Sequence, residues 1–448
     1  MTETVNAVSK LQRLNKSELL QYITVAVMLA ALFVRNALGI DFPVIFLLGI
    51  MLIPIVFGND DNIWATVVAC IPFSTGFQYK YALFAALVIF VIRRRGKINL
   101  SGSGILILLM MLWELLHAFM GAFSLYEYLR CFAELLIVFI ITGADLKNVN
   151  YKLVLRTLAI CTVGVCFIML YIQLLGRDMD LQSLLSLNYR QFRFGAGNIK
   201  AENFGLNFNA NGLGSICCQA VAAILILYGR KEHRSFDICM AILAALFGFF
   251  TLSRAYIVCI LFVVGFFVLS SSGDIGKRLK GMLGVACLAL VVVFVIGQFF
   301  PGVYENLTVR FSEDDVLNGR DDLLVFYSKH IFSAPLYMLF GIGLQDFQEK
   351  LIDIYGGYVQ VCHNGPQEVW VVWGIVGVVL FFGMILTMIS ESKRFLKKKP
   401  LYQYMPLFLM LLYSLSGQLI RSGSGLLALI LIYVCLCIPK ETEEGRLQ

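Results

Sequence analysis

Fourteen apolar runs follow one another along the chain. They lie at about 20–36, 42–57, 62–77, 79–93, 102–121, 125–143, 153–175, 209–228, 235–252, 255–271, 281–300, 366–389, 402–419 and 423–439. A helix crosses the hydrocarbon core of a bilayer with about 20 mostly apolar residues. Backbone at that depth must satisfy its own hydrogen bonds. Runs of this length and number predict a bundle of membrane-spanning helices. The third and fourth are short, with only Phe77 to Lys80 between them. The composition agrees: 59% of the 448 residues are hydrophobic and 15% charged, against about 45–50% and about 25% in soluble domains. A soluble multidomain enzyme, a disordered chain and a disulfide scaffold are excluded. The expected fold is an all-α integral membrane protein, a single polytopic domain over 1–448 with about 14 transmembrane helices and two long outer loops.

Lys10, Arg13 and Lys16 precede the first run, and no small-residue cleavage site follows it. It reads as a retained anchor. Basic residues mark cytoplasmic ends. With the N-terminus inside, Arg93-Arg94-Arg95, Lys147 with Lys152, Arg230-Lys231, Lys277 with Arg278, and Lys393-Arg394 all fall on the inner side. Both termini are then cytoplasmic, and the net charge of +7 needs no nucleic acid partner.

Most cysteines, such as Cys161, Cys217 and Cys435, lie in apolar runs, where Cys acts as a small hydrophobe. No CxxC pair has metal spacing. Cys362 stands beside His363. Adjacent residues rarely face each other, so a catalytic Cys–His pair is a weak reading.

Two outer segments, 176–208 and 301–365, exceed the length of simple connections. The inner loops are short and carry no nucleotide-binding glycine motif, so the working face is the outer one. That face is richer in arginine than in lysine. It carries Arg35, Arg130, Arg177, Arg190, Arg193, Arg254, Arg310, Arg320 and Arg421, against Lys80, Lys200, Lys329 and Lys350. The planar guanidinium fork grips phosphate oxygens in pairs, which a lysine does not reproduce. A diphosphate handled at the outer surface accounts for the set; solvated or lipid-headgroup arginines are the plainer account. Arg254, in Thr251-Leu252-Ser253-Arg254, is wedged between two apolar runs. A charge held near bilayer depth is a functional candidate, with snorkelling to the interface as the alternative. His363 precedes the twelfth run and is the candidate general base. His233 lies in an inner basic turn. His330 falls in 321–332, a segment that could form an interfacial amphipathic helix.

Two acidic features compete. Asp178-Met179-Asp180 could hold a divalent ion, although such a pattern is common by chance. Glu313-Asp314-Asp315 with Asp321 and Asp322 reads as a solvated surface. No metal site is expected.

Several segments together resemble the superfamily of O-antigen ligases and polysaccharide polymerases. They are Arg193-Phe194-Gly195; Asn209-Ala210-Asn211-Gly212-Leu213-Gly214; Thr251-Leu252-Ser253-Arg254; Asn318-Gly319-Arg320 with Gly341-Ile342-Gly343; and His363-Asn364 with Glu368 and Trp373-Gly374-Ile375-Val376-Gly377. The likeness covers about residues 190–380, and Glu202 and Asn203 have no counterpart. It implies a multispan lipid-donor glycosyltransferase fold of the GT-C-like kind and metal-independent glycosyl transfer without a cofactor. The donor would be an oligosaccharide on a polyprenyl diphosphate. A sugar hydroxyl attacks its anomeric carbon and the lipid diphosphate leaves.

On that footing His363, Arg254 and Arg320 are the expected catalytic residues. Arg193, Arg190, Asn211 and Asn364 are expected to bind diphosphate and substrate. The expected protein is a polysaccharide polymerase of a bacterial cytoplasmic membrane, making capsule, exopolysaccharide or O-antigen at its outer face. Membrane lipid, a flippase and a chain-length regulator are the implied partners. A ligase of the same superfamily and a lipid-linked glycan flippase are the alternatives.

Overall fold

In a computed structural model the chain is described over residues 15–40, 42–73, 78–94, 99–120, 125–144, 146, 149–176, 210–251, 253–271, 274–302, 304–305, 308, 320–344, 347–356, 362–395, 400–417 and 423–438. Among these residues all regular structure is helical. The helices are α1 (Lys16–Asn36), α2 (Val44–Phe57), α3 (Asp60–Phe73), α4 (Gln78–Arg93), α5 (Gly102–Met120), α6 (Leu125–Gly143), α7 (Tyr151–Gly176) and α8 (Ala210–Gly229). They continue with α9 (Ser235–Phe250), α10 (Arg254–Ser271), α11 (Ile275–Phe299), α12 (Arg320–Ser333), α13 (Pro335–Phe340), α14 (Phe347–Tyr355) and α15 (Gly365–Phe395). A 3₁₀ turn, Leu401–Tyr404, leads into α16 (Met405–Ser414), and α17 (Gly423–Cys437) follows.

Over its described residues each of the fourteen apolar runs is helical, the thirteenth as a 3₁₀ turn followed by the short α16. Among the described residues six helices are long and apolar enough to cross a membrane: α1, α7, α8, α10, α11 and α15. Several of the others are shorter. The 14 residues of α2 make only about 21 Å at the helical rise, less than the ~30 Å hydrocarbon core. These helices are consistent with a multi-pass membrane protein.

The centre of the bundle is α3, buried on every side from Asn62 to Phe73. A helix apolar all round belongs in such an interior. α7 packs on α3, and α8 packs on α7. α11 is nearly bare, exposing Leu279, Leu283, Leu290 and Phe294, as expected of a helix whose neighbour is lipid.

Helix ends that the basic bias assigns to one face do meet one another. Ser17 at the start of α1 donates to Asn62 Oδ1 at 2.8 Å. Arg93 at the end of α4 donates to the carbonyls of Ile55, Val56 and Gly58, a cation placed on the negative end of α2. Arg94 pairs with Asp60 at 2.8 Å. The Asn150 amide donates to Asp61. Arg156 of α7 and Asp237 of α9 form a buried ion pair at 3.0 Å. Glu391, late in α15, accepts from the Gly102 amide and the Ser103 hydroxyl.

α15 is not continuous. Gly374 has φ 65° and ψ −169°, which breaks the helix. The turn after α13 fills the break: Ile342 N donates to Val371 O at 3.0 Å and Gly343 N to Val372 O at 2.7 Å. Gly341 and Gly343 also have positive φ. A Cβ on Gly341 would lie 2.5 Å from Gly374 N, so glycine is required for backbones this close.

Candidate functional site

The Thr251–Arg254 turn joins two helices with almost no loop. α9 ends in Thr251, whose hydroxyl donates to Gly248 O at 2.7 Å. Ser253 then caps α10: its Oγ accepts from Tyr256 N at 3.3 Å, the usual N-cap bond. The same hydroxyl donates to Asn211 Oδ1, the second residue of α8, at 2.7 Å. Tyr256 folds its ring against Gly248 and donates to Ala245 O at 2.6 Å, closing the hairpin. Arg254 is thereby fixed as the first residue of α10, half-buried.

Tyr413, at the end of α16, completes this cluster. A Cβ on Gly214 would stand 2.8 Å from the Tyr413 hydroxyl, 3.0 Å from Tyr256 Cβ and 3.4 Å from Thr251 Oγ1. Gly214 therefore makes room for a buried tyrosine hydroxyl beside Ser253. Nothing in the sequence singled out Tyr413, because it reads there as one more aromatic in an apolar run.

The second group lies where α12 meets α15. Asn364 is the N-cap of α15: its Oδ1 accepts from Gln367 N at 3.0 Å, and its carbonyl accepts from Glu368 N at 2.8 Å. This capping role stands beside the substrate role expected of it. Gln367 Nε2 reaches across to Leu324 O at 2.7 Å and Ser328 Oγ at 3.0 Å, which docks α12 on α15. His363 stands two residues before Gly365, half-buried, and Glu368 is fully buried. Arg320 is the first residue of α12.

Cys362 is buried, with its thiol donating to Asn364 O at 3.3 Å and Gln367 Oε1 at 3.7 Å. Burial pushes that thiol up to about 12. A thiolate nucleophile beside His363 is therefore disfavoured at neutral pH. The 321–332 segment is helical within α12, and His330 on it is buried. Its Nδ1 lies 2.8 Å from the Tyr355 hydroxyl, and its ring stacks on Tyr337 at 4.6 Å. Burial lowers the imidazole below its ordinary value. His330 thus ties together α12, α13 and α14.

The Ser253 bond ties Asn211 to the residue before Arg254; Asn364, next to His363, caps α15, and Gln367 of α15 docks α12, the helix that begins at Arg320. α17 packs against both α8 and α15. Arg190 and Arg193 lie outside the described residues, as do Asp178, Asp180, Glu313, Asp314 and Asp315. Among the described residues no group of three or more His, Cys, Asp or Glu side chains could hold a metal ion.

Sequence reasoning also passed over Glu114 and His117 on α5. Both are buried. Glu114 accepts from Leu344 N at 3.0 Å and from Trp373 Nε1 at 2.7 Å. A single acid in the run 102–121 leaves its hydropathy high, so only its contacts single it out.

No protein-family model matches the chain, and no curated protein matches it significantly.

Proposed function

We propose that the protein is a polysaccharide polymerase. It would transfer a glycan from a polyprenyl diphosphate to a hydroxyl of another lipid-linked repeat unit, at the outer face of the cytoplasmic membrane. The observation that carries this reading is the setting of Arg254. A cation at the first position of a helix lies at the positive end of the macrodipole, costing about 0.3–1 kcal/mol at an exposed site. Helix N-termini are also ready anion sites. Ser253 and Asn211 hold Arg254 in that unfavourable place. An arriving diphosphate offsets the cost and takes up the cation and the backbone amides together. Arg320 is likewise the first residue of a helix, α12, whose first turn also carries Asp321 and Asp322.

In this mechanism Arg254 and Arg320, with Arg193 and Arg190, stabilise the charge that develops on the departing diphosphate. Preorganised donors of this kind are the largest single catalytic contribution in many enzymes. His363 accepts the proton of the attacking hydroxyl. The glycosidic bond to the diphosphate breaks as the new one forms. Fourteen spans, both termini inside and a GT-C-like arrangement belong to the same proposal.

A transporter reading would draw on the break at Gly374, since discontinuous helices line transport sites. Here the amides of Ile342 and Gly343 take the carbonyls freed at the break, so the protein's own chain fills it. The deciding experiment is incubation of the purified protein with a lipid-linked repeat unit, followed by sizing. A ladder of products is expected. An unchanged donor under all conditions sinks the enzyme reading, and a single transfer to a different acceptor points to the ligase.

A further inference from the structure

A continuous α15 would satisfy its own carbonyls with no help. Instead the helix is broken at Gly374, and three glycines at positive φ (Gly341, Gly343 and Gly374) hold a second segment against the break. Departures of this kind persist only where the surroundings over-determine them, and they cluster at functional sites.

The surroundings here belong to α5. Trp113 Nε1 donates to Trp373 O at 3.0 Å, a carbonyl freed by the break. The Trp113 ring stacks on Phe340 at 5.5 Å. The Glu114 carboxylate receives Leu344 N at 3.0 Å on both oxygens and Trp373 Nε1 at 2.7 Å. His117, one turn on, has Nε2 2.8 Å from Phe340 O and Nδ1 2.9 Å from Trp113 O. A Cβ on Gly343 would lie 2.9 Å from His117 Cβ, so α5 and the 341–344 turn are in direct contact. From the other side Trp370 Nε1 donates to Met338 O at 3.0 Å. A buried carboxylate is costly unless it is well hydrogen-bonded. Glu114 receives donors from both parts it joins: the turn after α13 and the outer half of α15.

We propose that Trp113, Glu114 and His117 are positioning residues. They clamp the 335–344 segment into the break at Gly374 and so set the direction of residues 365–373, whose leading end carries His363, Asn364 and Glu368. The clamp itself is geometric; its catalytic consequence rests on the polymerase reading. Its effect reaches His363 through the rigid half-helix, because no clamp residue lies at that end of α15.

The test uses the full-length protein in detergent or proteoliposomes, with two readouts. One is turnover and donor KM with a lipid-linked repeat unit. The other is the rate at which N-ethylmaleimide modifies Cys362, followed by peptide mass; this thiol is buried at the head of α15 and needs no activity to report. Glu114→Gln removes a charged acceptor, and Trp113→Phe removes one N–H while keeping a ring for Phe340. Each should modify Cys362 about tenfold faster, as expected for loss of a hydrogen bond of this kind. Turnover should fall by up to about 10²-fold with donor KM held, the cost of a small misplacement.

Glu391→Gln breaks contacts at the opposite end of α15 and should leave Cys362 protected. Unchanged Cys362 rates in both clamp variants overturn the proposal. So does an equal rise in Glu391→Gln, which would mean general loosening of the α5–α15 packing. Faster modification with normal turnover removes the positioning role. Should Glu114→Gln fail to fold, Trp113→Phe alone decides. A parent protein that makes no polymer overturns the function reading and the catalytic half of this proposal, and the Cys362 rates still decide the clamp.

Discussion

Ser253 Oγ donates to Asn211 Oδ1 at 2.7 Å while accepting from Tyr256 N. One hydroxyl therefore caps α10 and ties it to α8, immediately before Arg254. Ser253→Ala loses both bonds. A lost N-cap costs about 0.5–2 kcal/mol, so the melting temperature in detergent should fall. Activity should fall further than stability explains, because Arg254 loses its fixed setting. Ser253→Thr retains the hydroxyl and should recover most of both. Full activity in the folded alanine variant would show that the bond does not serve Arg254.

Arg254→Lys keeps the charge and loses the planar fork. Its defect should appear in turnover, since the interaction strengthens as charge develops on the leaving group. His363→Ala should lower turnover while leaving donor binding nearly intact, because a base acts on the acceptor. About 10²–10³-fold is expected for a lost oxyanion-type donor and about 10²–10⁴-fold for a lost base. Folded variants that both make polymer of normal length would refute the assignment.

On the proposed mechanism activity should persist in excess chelator, because arginines would do the work of a metal. Loss of activity that Mg²⁺ or Mn²⁺ restores would move the weight to Asp178 and Asp180.

The His330 imidazole is held below its ordinary value of 6.5 by burial. A group with a depressed folded value stabilises the fold above its unfolded value and loses that contribution as pH falls. The α12–α14 packing should therefore be firm above pH 6.5 and loosen below it. Hydrogen exchange over 320–355, measured at neutral and acid pH, should show this loss in the parent and much less of it in His330→Phe. Protection relative to the intrinsic exchange rate at each pH that does not change in the parent would contradict the account.

Asp237→Ala leaves Arg156 with an uncompensated buried charge and removes the acceptor of Arg234 N at 2.7 Å. Breaking a buried pair on one side costs about 3–5 kcal/mol. Thermal unfolding should be markedly earlier, whereas the double variant Arg156→Met with Asp237→Ala should recover part of the loss.

The helices were legible in the sequence because burial in lipid or in a helical core demands long apolar runs, and such runs need no partner to be recognised. The segment Thr251 to Arg254 was equally local, a short polar word between two apolar stretches, although the cap that Ser253 places on α10 was not read from it. Full crossings were less legible: hydropathy registers α2 and α3 as spans, but their helices hold only 14 residues each. The break at Gly374 was hidden, since a glycine inside an apolar run looks like any other. Its carbonyls are satisfied by Ile342 and Gly343, thirty residues earlier, and by Trp113 on a helix 260 residues away. Glu114 and Tyr413 were hidden for the same reason. A single polar group barely changes the hydropathy of its run, and its meaning depends on what other helices bring against it. Apolar burial is a property of the segment, whereas hydrogen-bond satisfaction at depth is a property of pairs, and only the tertiary structure forms the pairs.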